Sequence, residues 1–152
     1  MVRTWLVILG VLATAAPVAA GGNGFKAQVV GGTVSSLAAK TDVRLDLTGS
    51  GELALRGGKA ELLVPYLKVN TLEYGQNVSR RYAEAILISP FFILSKTRKH
   101  YVTLGYVDAF GAQQVVVFRV NKGEVRAILA GLEARTGRRV EYQDEEARKA
   151  GR

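Results

Sequence analysis

From residue 27 onward, apolar and polar side chains alternate in short runs, each stopped by glycine or by a cluster of small polar residues. A period of two punctuated in this way predicts half-buried β-strands. Ala27-Gln28-Val29-Val30 is the first, closed by Gly31-Gly32. Val43-Arg44-Leu45-Asp46-Leu47 alternates strictly, and Thr48-Gly49-Ser50-Gly51 turns it into Glu52-Leu53-Ala54-Leu55. Arg56-Gly57-Gly58-Lys59 turns the chain again into Glu61-Leu62-Leu63-Val64, and residues 69–74 give a further strand ending at Gly75. A polar stretch then leads to the apolar run Ala83-Glu84-Ala85-Ile86-Leu87-Ile88. Residues 101–107 and 114–120 form a hairpin about Asp108-Ala109-Phe110-Gly111, where glycine accepts the positive φ of a tight turn. Charged residues recur between the apolar ones, so one face of most strands is expected to meet water.

After residue 120 the period changes. Asn121, with Glu124 three positions on, has the layout of a capping box. Val125, Ile128, Leu129 and Leu132 then fall at i, i+3, i+4 and i+7, one apolar stripe, and Gly137 suits the left-handed position past a helix end. These signals predict a helix over 122–135, with Arg126, Glu133 and Arg135 on its solvated face. Arg139-Val140-Glu141-Tyr142 adds a short strand, and 143–152 reads as a charged, disordered tail.

The N-terminus follows another pattern. Arg3 precedes the apolar stretch opened by Trp5, no further charge occurs before Lys26, and Val18 and Ala20 supply small residues at the −3 and −1 positions of a cleavage site. This layout predicts a signal peptide over 1–20, a flexible leader over 21–26 and an exported chain. An uncleaved membrane anchor is the alternative, weakened by Pro17 and the Ala-rich end of the run. The 152 residues, 48% of them hydrophobic, suit one compact domain with a substantial core. The absence of cysteine excludes disulfides, zinc fingers, thiol catalysis and a lipoprotein anchor, and one histidine, His100, disfavours a His-based metal centre. No cofactor is expected. Lys and Arg number 21 against 13 Asp and Glu, a net charge of +8, or +7 once Arg3 is removed with the leader. In an exported chain that charge meets lipid head groups, anionic polysaccharide or acidic proteins rather than nucleic acid.

Short strands in sequential hairpins followed by one amphipathic helix are the parts of a bent sheet whose open end a helix plugs. Leu45-Asp46-Leu47-Thr48-Gly49, Leu53-Ala54-Leu55, Leu62-Leu63-Val64-Pro65-Tyr66 and Val69 with Leu72-Glu73, taken in order, resemble the opening of GRAM-like and bacterial pleckstrin-homology (PH)-like domains. The resemblance spans residues 43–135. It implies a mainly β fold, a PH-like barrel of about seven antiparallel strands over 27–142 capped by one C-terminal helix. It also implies a non-catalytic binding module, commonly for phosphoinositides or peptides. Lipid-binding PH domains carry a Lys-x-Arg-type motif near the first hairpin; here Thr48-Gly49-Ser50-Gly51 is neutral, so phosphoinositide recognition of that kind is not supported. A lipocalin-like closed barrel would want more strands and longer alternating runs.

The densest positive run, Lys96-Thr97-Arg98-Lys99-His100, follows Pro90-Phe91-Phe92-Ile93-Leu94. Phe91 and Phe92 beside Lys96, Arg98 and Lys99, with Arg80 and Arg81 joining them, have the composition of a loop that dips between anionic head groups. The competing reading places Phe91 and Phe92 in the core, behind Ser89 as a cap and Pro90 at a first helical position, with the cations solvated. Turn glycines account for the Gly-rich steps, which lack a phosphate-loop order. Asp46, Glu61, Glu73 and Glu84 are expected to point outward, with Glu73 beside Tyr74 suited to a structural hydrogen bond. His100 reads as solvated. The expected role is a binding module for an anionic membrane or envelope surface, with a structural or assembly component binding a protein partner as the alternative; no nucleophile–base pairing suggests an enzyme.

Overall fold

The computed structural model describes residues 24–78 and 99–152. Its strands are β1 (Phe25–Gly32), β2 (Asp42–Asp46), β3 (Glu52–Gly57), β4 (Ala60–Pro65), β5 (Val69–Gly75), β6 (His100–Val107), β7 (Gln113–Val120) and β8 (Glu141–Tyr142). Helix α1 (Val125–Thr136) follows β7 through a single 3-10 turn, and α2 (Glu145–Gly151) ends the chain. The protein is mainly β, as the alternation implies.

One eight-stranded sheet runs in the order β4-β3-β2-β1-β7-β6-β5-β8. The pairings are antiparallel except for β5 with β8, which is parallel. Connectivity forces this sheet to roll. Pro65 ends β4 and Val69 begins β5, so four Cα steps, about 15 Å at most, join strands six positions apart. In a flat sheet that separation would be about 29 Å. Leu45, Leu55 and Val64 from one half therefore share a core with Leu72, Leu104 and Phe118 from the other.

The rolled sheet is open and mixed, with eight strands where a barrel of about seven antiparallel strands was expected. No ladder joins β4 to β5, because β8 occupies the outer edge of β5, pairing Glu73 with Glu141 and Tyr74 with Tyr142. Three other expectations change. Phe25 and Lys26, assigned to the leader, belong to β1. The tail over 143–152 is ordered: Asp144 caps α2 by accepting from the Ala147 N–H at 2.7 Å, and Ala147 is fully buried in the core. The β1–β7–β6 region buries both faces, since Val30, Tyr101, Val115 and Val117 form a second apolar cluster on the side opposite the main core. Leu37, in the long β1–β2 loop, also reaches the core.

Helix α1 plugs the roll with the expected stripe: Val125, Ile128, Leu129 and Leu132 are all buried. Each such side chain contributes about 1.5–3 kcal/mol through burial. Its start departs from the capping box. Residues Lys122–Glu124 form the 3-10 turn first, and Asn121 donates to the Glu124 carboxylate at 2.9 Å rather than capping a backbone N–H. Its end is as expected, with Gly137 at φ 68° donating its N–H to the Glu133 carbonyl at 2.9 Å.

Candidate functional site

Of the expected site residues, Arg80, Arg81, Phe91, Phe92, Lys96 and Arg98 lie outside the described residues, as does Glu84. Lys99 is described. It is half-buried, and its N–H donates to the Gln76 carbonyl at 3.4 Å, extending the β5–β6 pairing by one step. The strand ends thus fix where this basic segment meets the sheet: beside His100 and opposite the C-terminal end of β7.

At that sheet end Gln76, His100, Lys122, Arg126, Glu146 and Lys149 surround a hollow of about 950 Å³. The 3-10 turn brings in Lys122, the first turn of α1 brings in Arg126, and α2 brings in Lys149. Cations outnumber carboxylates there, with Glu146 the acidic side chain among these six. Sequence reasoning missed Lys122, Arg126 and Lys149 as a cationic group beside His100. Only the rolled sheet and the ordering of α2 bring positions 100, 122 and 149 to one place.

His100 is not the solvated side chain expected. It is half-buried, its Nδ1 lies 2.5 Å from the Tyr74 hydroxyl, and the two rings stack with planes 6° apart. Burial, and after it the Lys122 ammonium, hold the imidazole below its usual pKa. Burial pushes the Tyr74 phenol up to about 12, with Tyr142 and Asp144 adding to the effect. A neutral imidazole accepting from a protonated phenol follows from both shifts. The stacked pair forms part of the wall of the hollow, with His100 lining it beside Lys122.

The acidic candidates divide. Asp46 accepts from Arg56 at 2.7 Å and from the Thr48 hydroxyl at 2.6 Å, and Glu61 accepts from the same arginine at 2.6 Å. The Thr48 hydroxyl and N–H, then Arg56, hold the Asp46 carboxyl below its usual pKa. Glu73 contradicts its outward assignment, being buried at 5% exposure. It does make a structural hydrogen bond, accepting from Gln143 Nε2 at 2.9 Å. The supposed solvated face of α1 is partly engaged too. Glu133 accepts from the Val140 N–H at 2.8 Å, and Arg135 donates to the Gly49 carbonyl at 3.0 Å while lying over the Tyr66 ring. Among the described residues, no group of three or more His, Cys, Asp or Glu side chains could hold a metal ion, and no helix is long and apolar enough to cross a membrane. Neither a protein-family model nor a curated protein matches this chain.

Proposed function

We propose that this chain is an exported, non-catalytic PH-like module that contacts an anionic surface of the cell envelope. Support for the PH-like assignment comes from the run β4-β3-β2-β1-β7-β6-β5, the short turn from β4 into β5, and α1 placed directly after β7. The observation that carries the binding role is the convergence of Lys122, Arg126 and Lys149 on one hollow beside His100, the residue that follows Lys99 in the chain. Each cation near an anionic membrane contributes about 1 kcal/mol. Replacing Lys96, Arg98 and Lys99 together by serine should therefore weaken binding to anionic vesicles by about 3 kcal/mol, roughly a hundredfold, with the fold intact. Unchanged vesicle affinity in that variant would remove the segment from the binding surface.

The alternative, an assembly component that binds a protein partner, draws on a different feature. Strand β4 ends the sheet, and beside it Leu63 and Leu67 are 44% and 91% exposed. A strand edge that no other described strand pairs, with exposed leucines beside it, suits main-chain pairing with a partner strand. Crosslinking in native cells that captures one protein through residues 60–68 would favour this second reading.

A further inference from the structure

The outward face of β3, β2, β1 and β7 carries a second basic surface, away from the hollow beside His100. Register places Arg56 directly opposite Arg44, and Arg44 directly opposite Lys26. All three side chains are exposed. One step along the same face, Asp42 stands opposite Gln28 and Gln28 opposite Arg119. Like charges directly opposed on neighbouring strands destabilise a sheet, and here three follow one another across three strands, over about 10 Å. Arg56 is answered by Asp46 and Glu61 at 2.7 and 2.6 Å. Lys26 forms no ion pair among the described residues. Asp42, the one carboxylate lining this surface, already accepts from Gln28 Nε2 at 2.9 Å.

The surface is concave. Lys26, Arg44, Arg56, Arg119 and Asp42 line a hollow of about 540 Å³, with Asn121 at its rim. Four cations line it against one carboxylate, and Asp46 and Glu61, held by Arg56, reduce the formal excess from three positive charges to one. We propose that this hollow binds a phosphate group carried on a small polar scaffold. Cations from four neighbouring strands suit the several oxygens of a phosphate better than the two of a carboxylate. Guanidinium groups present paired N–H donors that fit phosphate oxygens, and Lys26 adds a point charge. The volume exceeds what a bare phosphate needs and falls in the range of small-ligand sites, hence the scaffold. The hollow is lined by polar and charged side chains, with Ala27, Val43 and Val120 as its apolar lining residues, so the scaffold is hydrophilic. The phosphate is either free in solution or part of a lipid head group.

The test titrates the purified chain with glycerol phosphate by calorimetry at constant ionic strength, and in a second arm with vesicles containing phosphatidic acid. Both arms compare wild type, the pair Lys26→Ser with Arg44→Ser, and a control pair of equal charge, Lys68→Ser with Arg139→Ser. The expected result is saturable binding by wild type and control, weakened at least tenfold in Lys26→Ser/Arg44→Ser. Loss in the glycerol phosphate arm identifies a soluble ligand, and loss confined to the vesicle arm identifies a lipid head group. Binding that is absent in both arms, or equal in the two pairs, overturns the proposal. The surface beside Lys99 is tested separately by the Lys96/Arg98/Lys99 variant, so either site can fail without the other. The thermal midpoint of Lys26→Ser/Arg44→Ser, which also loses the Arg44 donation to the Gly24 carbonyl at 3.2 Å, should stay above the temperature of the titration.

Discussion

Tyr74 and His100 tie one titration to the stability of the sheet end where β5 and β6 begin their long connection. The imidazole is held below its ordinary pKa, near 6.5, so the fold favours its neutral form. That contribution is present above about pH 6.5, the unfolded value, and is lost as pH falls through the lower folded value. Protonation of Nδ1 would also remove the acceptor used by the Tyr74 hydroxyl. Denaturant midpoints measured from pH 7.5 to 4.5 should fall on the acid side for wild type and stay flatter for His100→Phe; equal slopes would assign the acid sensitivity elsewhere. Tyr74→Phe should cost about 1–3 kcal/mol at pH 7.5, because it leaves a half-buried ring nitrogen without its donor. Asp46 behaves likewise at much lower pH. Its depressed carboxyl supports the fold above about pH 3.8 and ceases to as pH falls through the folded value.

Two short helices close the roll, and they differ in how plainly the chain announces them. Leu129 is 2% exposed beneath α1 and Arg126 is exposed on it. Leu129→Ala should cost about 2–5 kcal/mol and Arg126→Ala no more than about 0.5 kcal/mol in a denaturant series. Similar losses would mean that the apolar stripe does not face the core. For α2 the decisive residue is Ala147, fully buried. Ala147→Asp would place an unpaired charge there and should cost about 3 kcal/mol or more; a neutral effect would return 143–152 to a disordered tail. The stripe of α1 was legible because four large aliphatics share a 3.6-residue period and a glycine ends the run. The seven residues of α2 offer only two small apolar side chains, Ala147 and Ala150, to the core amid Glu, Arg and Lys, so their local pattern reads as solvent. Its anchor is tertiary, since Gln143 reaches Glu73 across 70 positions. Hairpins were legible for the reason α1 was: period and punctuation are local. Register between β1 and β7, closure of the roll and burial of the outer β6–β7 face depend on residues far apart in the chain. The cation rows on β1–β3 and the gathering of Lys122 and Lys149 beside His100 follow from that long-range arrangement and could not precede it.

At the scale of the whole molecule, an open rolled sheet carries an excess of positive charge, to which the proposed role adds export. Export is tested by intact mass: protein recovered from outside the cytoplasm should begin at Gly21, whereas retention of Met1 or Val2 on membrane-bound protein would establish an anchor. Charge sets how binding responds to salt, because exposed charges are screened over about 10 Å at 0.1 M and about 3 Å at 1 M ionic strength. The most direct measurement is co-sedimentation of the wild-type protein with anionic and with zwitterionic vesicles across that range of salt. The account predicts that the protein pellets with anionic vesicles at low salt, that this binding weakens progressively as salt rises, and that zwitterionic vesicles leave it in solution. Failure to pellet with anionic vesicles even at the lowest salt, or pelleting that salt does not change, would contradict it.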